Sequence, residues 1–228
     1  MVGEGEIKRY FAIGDIHGCL SPLERLMEEI RPLVVPEEDA LVFIGDYIDR
    51  GPESRQVVEL ILRIKEEFPN VICLKGNHED MFLTWVLTGR DYELYLYNGG
   101  GTTIRSYLSQ GKFSLPEEHL RFFQSLPLYY ETEDYIFVHA GLRPGVPLEQ
   151  QDPFDLFWIR EEFIYSNYDF GKTVIFGHTP FRKPFVTDRK IGIDTGAVYG
   201  GALTCVELPA RKFYSVAASS DTPLFGVI

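Results

Sequence analysis

Five short apolar runs, at residues 10–13, 41–44, 71–74, 136–138 and 174–176, each end on a polar or glycine-bounded cluster. A run of that length stopped by turn residues reads as a buried strand. Between the first three runs the pattern turns amphipathic. Ser21-Pro22-Leu23-Glu24 has the form of a capping box with proline at the first helical position, so a helix is expected to run to about Ile30. Residues 54–68 carry Val57, Val58, Ile61, Leu62 and Ile64 at helical spacing, and residues 80–87 form the next expected helix. Segment 91–125 reads as helical, most clearly over 116–125. Beyond it strands dominate, at 135–138, 173–176, 185–187, 191–193, 203–208 and 213–217. The fold class is α/β, with a β-α-β front joined to a β-rich back.

The polar clusters at the strand ends carry the chemistry. In order they are Gly14-Asp15-Ile16-His17-Gly18, Gly45-Asp46-Tyr47-Ile48-Asp49-Arg50-Gly51, Gly76-Asn77-His78-Glu79, then His139 and His178. Four of the five histidines fall in this set. Loops at the carboxyl ends of parallel strands converge on one crevice, where α/β proteins bind ligands. The expected site therefore gathers two aspartates, an asparagine and up to four histidines, which reads as a two-metal site. Such donors suit divalent manganese, iron or zinc, and the absence of cysteine from the set argues against structural zinc. Asp46, in the middle of the set, is the natural bridge between two ions.

The remaining features narrow the setting. A chain of 228 residues without a Ser/Gly or Pro linker reads as one domain, residues 1–228. Three scattered cysteines, Cys19, Cys73 and Cys205, point to a reducing, cytoplasmic location. No signal peptide or membrane span is expected, and a net charge of −12 argues against nucleic-acid binding. That same charge repels anionic substrates, so the site must reverse the field locally, which bound divalent ions would do.

The joint occurrence of GDIHG, GDYIDRG and GNHE resembles the phosphoprotein phosphatase branch of the calcineurin-like metallophosphoesterases, the serine/threonine protein phosphatases of bacterial and phage type. The likeness covers about residues 10–201. It implies two facing mixed β-sheets flanked by helices. It implies that Asp15, His17 and Asp46 hold one metal and that Asp46, Asn77, His139 and His178 hold the other. Arg50, Asn77 and Arg160 would bind the phosphate, His78 would be the general acid, and Asp49 would orient it. A water activated by the metals would attack phosphorus in line, without a phosphoenzyme. The expected substrate is a phosphoprotein or phosphopeptide. The alternative is symmetrical hydrolysis of diadenosine tetraphosphate, disfavoured on the reading that Asp49 and Glu79 mark the phosphatase branch. A non-catalytic scaffold is disfavoured because no ligand is missing.

Other features have plainer readings. Asn98-Gly99-Gly100-Gly101-Thr102 reads as a turn into a helix sooner than as a phosphate-cradling nest. Tyr199 is either a substrate contact or a buried aromatic. Cys19 and Arg25 match the spacing of a cysteine-phosphatase loop, but Pro22 between them lacks the N–H that loop needs. His119 lies in an expected solvated helix start and is not a ligand.

Overall fold

The computed structural model describes residues 7–218. The front contains strand β1 (Arg9–Ile13), helix α1 (Leu20–Ile30), β2 (Asp39–Phe43), α2 (Ser54–Glu67), β3 (Val71–Cys73) and α3 (Asn77–Thr88). The middle contains α4 (Tyr92–Tyr97), α5 (Gly100–Ser106), a hairpin of β4 (Leu108–Ser109) and β5 (Lys112–Phe113), and α6 (Glu117–Ser125). The back contains β6 (Tyr129–Glu131), β7 (Tyr135–Val138), α7 (Pro153–Trp158), α8 (Glu161–Ile164), β8 (Thr173–Phe176), β9 (Phe185–Val186), β10 (Lys190–Gly192), β11 (Asp194–Thr195), β12 (Ala202–Leu208) and β13 (Lys212–Ala217).

Two mixed sheets result. One runs β11-β12-β1-β2-β3 with β13 added on β12; the other runs β6-β7-β8-β10-β9. Residue alternation along each strand explains how they pack. On β1 and β2, Phe11, Ile13, Leu41 and Phe43 face α1 and α2, meeting Leu23, Leu26, Val57 and Ile61. The alternate residues Ala12, Ala40, Val42 and Ile44, with Val206 of the adjoining strand β12, face the other sheet and meet Phe137, Ile175 and Ile191. The outer face of that second sheet, including Val138, Val174 and Phe176, packs on Leu156 and Phe163 of α7 and α8. Both faces of the central strands are thus covered, which is why they read as unbroken apolar runs. β1, β2 and β3 are mutually parallel, as are β7, β8 and β10. Five polar clusters therefore emerge at carboxyl ends. Among the described residues no helix is long and apolar enough to cross a membrane.

Several local expectations change. α1 begins at Leu20 and has no side-chain cap, so Ser21 lies within the helix instead of capping it. α3 begins at Asn77, three residues earlier than expected, and places Asn77 and His78 in its first turn. Segment 91–125 is not helical throughout, because Gln110 and Gly111 both adopt left-handed backbone (φ 51° and 76°) and turn the chain into the β4-β5 hairpin.

His119 is not solvated. It is buried, and its Nδ1 lies 2.8 Å from Tyr107 Oη. Burial lowers its pKa, with Arg55 opposing protonation and Glu59 and Glu118 favouring it. Between the ordinary histidine value, about 6.5, and its lowered folded value, the unfolded chain binds the extra proton, so stability falls as pH falls. We expect the urea midpoint of a His119→Phe variant to decline less than that of the wild type between pH 8 and pH 5. Parallel declines would show that His119 is protonated equally in both states.

Candidate metal centre

The strand ends bend sharply into the site. His17, Asp46, Asp49, Arg50 and His178 all have positive φ, from 49° to 72°, although none is glycine. Side chains resist this region, and such strain clusters where a structure must over-determine a geometry. Glycines then let the loops close. A Cβ on Gly76 would collide with Asp46 Oδ1, and one on Gly177 with Asp15 Oδ1.

The bends bring the sequence-marked residues together. Two groups of donor atoms form, His17–Asp46–His78 and Asp46–His139–His178, and Asp46 belongs to both. His17 Nε2 lies 3.3 Å from Asp46 Oδ2, and His139 Nε2 lies 3.4 Å from Asp46 Oδ1. Asn77 Oδ1 is 2.9 Å from His139 Nε2. Asp15 joins from the side, its Oδ2 accepting the His178 backbone N–H at 3.0 Å while Oδ1 is buried without a partner. His78 has a double relation to the cluster. Its Nδ1 is 2.7 Å from Asp49 Oδ2, whereas Nε2 is buried with no partner and 3.9 Å from Asp46.

Arg50 Nη1 is 2.5 Å from His17 Nε2, so Arg50 stands at the rim of the cluster. Arg160 is further out. Its side chain is exposed and its Nη1 donates to Thr179 Oγ1 at 3.3 Å, one residue past His178. Its charge is nonetheless felt by His139 and His178, whose pKa values it lowers.

The donor set fits divalent cations. His17 and His139 point Nδ1 at the carbonyls of Ile48 (2.9 Å) and Ile44 (3.0 Å). Donation there fixes the tautomer and leaves the Nε2 lone pair facing Asp46, as in imidazoles that hold a metal through one nitrogen and a carbonyl through the other. Burial lowers the pKa of both and of His178, keeping the rings neutral, with His139 pushed down to about 4. Burial also raises Asp46 to about 8 and lifts Asp15 well above the carboxylate range. Carboxylates so placed call for positive charge beside them. Asn77 Oδ1 and His139 Nε2 then face each other as two lone pairs. A cation between them satisfies both, as would turning the amide so that its nitrogen reaches His139, His178 and Asp46.

Several residues of the site lay outside the sequence reading. Asp194 is buried beside Asp15 and Asp46, with one oxygen accepting the Gly196 N–H at 2.9 Å. Its signal was present, an aspartate ending the apolar run 191–193 ahead of a glycine. Tyr95 Oη (2.7 Å) and Thr103 Oγ1 (2.6 Å) both donate to Asp49 Oδ1. Glu79, which the sequence reading used only as a mark of the phosphatase branch, accepts three backbone N–H groups, from Asp46, Tyr47 and Gly76, each at 2.9 Å.

The family profile described as calcineurin-like phosphoesterase matches residues 8–207. The chain is 30% identical to a bis(5'-nucleosyl)-tetraphosphatase PrpE [asymmetrical] of Geobacillus sp. (strain WCH70), over 91% of this chain and 93% of that protein. It is 28% identical to the protein of the same name from Bacillus thuringiensis (strain Al Hakam), over 92% and 95%. A crystal structure of a candidate diadenosine tetraphosphatase superposes with a TM-score of 0.74 at 24% identity, covering 93% of this chain and 94% of that one. A serine/threonine phosphatase from Saccharomyces cerevisiae shares the fold at a TM-score of 0.63 and 17% identity, covering 94% and 81%.

These relatives correct the sequence reading of substrate. The expected phosphoprotein phosphatase, and the phosphoprotein or phosphopeptide partner that went with it, are overturned by curated relatives named for nucleotide hydrolysis along nearly the whole chain. The structure shows why Asp49 and Glu79 misled. Asp49 is fixed by Tyr95, Thr103 and His78, and Glu79 by three peptide groups, so both residues are accounted for by loop geometry, whatever the leaving group. Glu79→Gln would turn an amide N–H₂ toward peptide N–H groups. We expect it to cost about 1–3 kcal/mol in urea unfolding, the penalty of an unmet buried donor. A loss below about 0.3 kcal/mol would show that Glu79 does not hold the Asp46 and Gly76 loops together.

Proposed function

The chain belongs to the calcineurin-like phosphoesterase family, and on that premise we propose that it hydrolyses dinucleoside tetraphosphates asymmetrically, to a nucleoside monophosphate and a nucleoside triphosphate. The substrate class rests on the names of the curated relatives, which align along nine-tenths of the chain. Their qualifier "asymmetrical" also replaces the symmetrical cut of the sequence-based alternative. The observation that carries the chemistry is Asp46, shared between two buried donor groups.

In this reading Asp15, His17 and Asp46 would hold one divalent ion, and Asp46, Asn77, His139 and His178 the other. Manganese, iron or zinc suits these donors. Such ions, when bound, supply Lewis-acid charge and lower the pKa of a water for attack on phosphorus. The other residues act on the substrate. Arg50 and Arg160 grip phosphate oxygens with charge-assisted hydrogen bonds, and Asn77 adds an amide beside them. Asp49 holds the His78 ring by Nδ1 and so aims Nε2, which has no other partner, at the leaving oxygen. Burial, with Arg50 and His139, pushes the His78 ring well below the usual histidine range, and burial lifts Asp49 to about 7. Weak proton donation suffices here, because a nucleoside triphosphate is a far better leaving group than a serine alkoxide. Atoms balance simply: water oxygen joins phosphorus, the bridging P–O bond breaks, and the two nucleotides separate.

Product analysis tests the reading. Diadenosine tetraphosphate incubated with the protein and Mn²⁺ should give AMP and ATP in equal amounts by anion-exchange chromatography. Two equivalents of ADP would show a symmetrical cut, and no turnover alongside hydrolysis of p-nitrophenyl phosphate would overturn the substrate class.

A further inference from the structure

An open cavity of about 510 Å³ lies between the elbow joining α4 to α5 and the turn after β11. Three chemistries line it. Leu96 and Val198 are apolar, Tyr97 and Tyr199 are aromatic, and Arg50 and Arg105 are cationic. Tyr97 is 89% exposed, so the core does not need its ring. Arg105 has no ion-pair partner among the described residues. In a chain of net charge −12, two arginines facing one cavity make a local cationic exception.

Arg50 joins this cavity to the donor cluster. One end of its guanidinium is 2.5 Å from His17 Nε2, and its Cζ is 5.6 Å from the centre of the Tyr199 ring. Gly99 permits that placement. Its φ is 98°, and a Cβ there would fall 2.9 Å from Arg50 Cγ. Its carbonyl also accepts the Arg50 backbone N–H at 3.2 Å. The glycine-rich stretch therefore makes the expected turn into a helix and, in doing so, seats Arg50.

Resting on the dinucleoside-tetraphosphate reading, we infer that this cavity is a nucleoside subsite, with Tyr199 and Tyr97 stacking the base and Arg50 holding the phosphate next to that nucleoside. The volume lies within the range of small-molecule pockets, roughly 300–1,000 Å³. Aromatic faces beside arginines are how proteins hold a base without reading its edge, since every base offers a π-face. Arg105 adds attraction for the anionic chain. The position of Arg50 sets the cut. Arg50 lines the cavity and also touches His17 of the donor cluster, so the phosphate that reaches the metals is the first one counted from the bound nucleoside. Water oxygen joins that phosphorus, and the bridge to the second phosphate breaks. The monophosphate forms in the cavity whatever the length of the chain beyond it.

Two measurements test the subsite separately from the function. By titration calorimetry, Tyr199→Ala and Tyr97→Ala should each weaken AMP roughly 5- to 100-fold, the scale of a lost base stack, while Tyr199→Phe retains binding. In steady state, the ratio of kcat/KM on diadenosine tetraphosphate to that on p-nitrophenyl phosphate should fall in the alanine variants, mainly through KM, and fall less in Arg105→Ala. Diadenosine pentaphosphate should release AMP and adenosine tetraphosphate. The inference is overturned if AMP binds the alanine variants as tightly as the wild type, if that ratio does not move, or if diadenosine pentaphosphate releases ADP and ATP in place of AMP. Should the wild type leave every dinucleotide intact, the function falls, and AMP calorimetry still judges the cavity.

Discussion

The structure is organised around the burial of negative charge. Asp15, Asp46, Asp49, Glu79 and Asp194 are all buried at the carboxyl ends of the strands. Burial raises the pKa of each, with Asp46 and Glu79 reaching about 8 and Asp49 about 7. Isolating one such ion from water costs several kcal/mol even after relaxation. The fold offsets that cost with peptide dipoles: Glu79 takes three N–H groups, Asp15 takes that of His178, and Asp46 takes that of His78. Arg50 and Arg160 supply the positive charge the chain itself brings, and divalent ions would supply the rest. Five non-glycine residues in left-handed backbone are the steric consequence of aiming so many polar groups at one point. The apolar layers on both faces of β1 and β2 keep that arrangement rigid.

Much of this was legible along the chain. Apolar runs marked the central strands because both their faces are covered, and the polar cluster after each run marked a convergent site. The family and its two-sheet fold followed from three motifs. What was missed falls into two kinds. Short elements such as β4, β5, β6 and β11 are two or three residues long and are set by partners distant in sequence, so no local period announces them. Supporting residues such as Tyr95, Thr103 and Asp194 are ordinary by type and acquire their roles from what they touch. His119 looked solvated because glutamates precede it, yet the helix turns its ring inward to Tyr107.

Substrate class was the larger error, and it has a physical origin. In the proposed site the metals, an arginine and a histidine would do the same thing to phosphorus in a phosphoester and in a polyphosphate. The central motifs therefore identify the reacting atom and leave the rest of the substrate unspecified. The yeast serine/threonine phosphatase accordingly shares this fold. Discrimination has to come from surfaces outside the motifs. Here those are the α4–α5 elbow and the turn at Tyr199, whose sequence pattern announces little beyond helix and turn.

All of this turns on the proposal that Asp46 is shared by two ions. Crystals grown with Mn²⁺ and measured at the manganese edge put the question directly. Two anomalous peaks, each in contact with a different oxygen of Asp46, one also bound by His17 and the other by His139 and His178, are the expected result. A single peak, or two of which only one touches Asp46, would contradict the account.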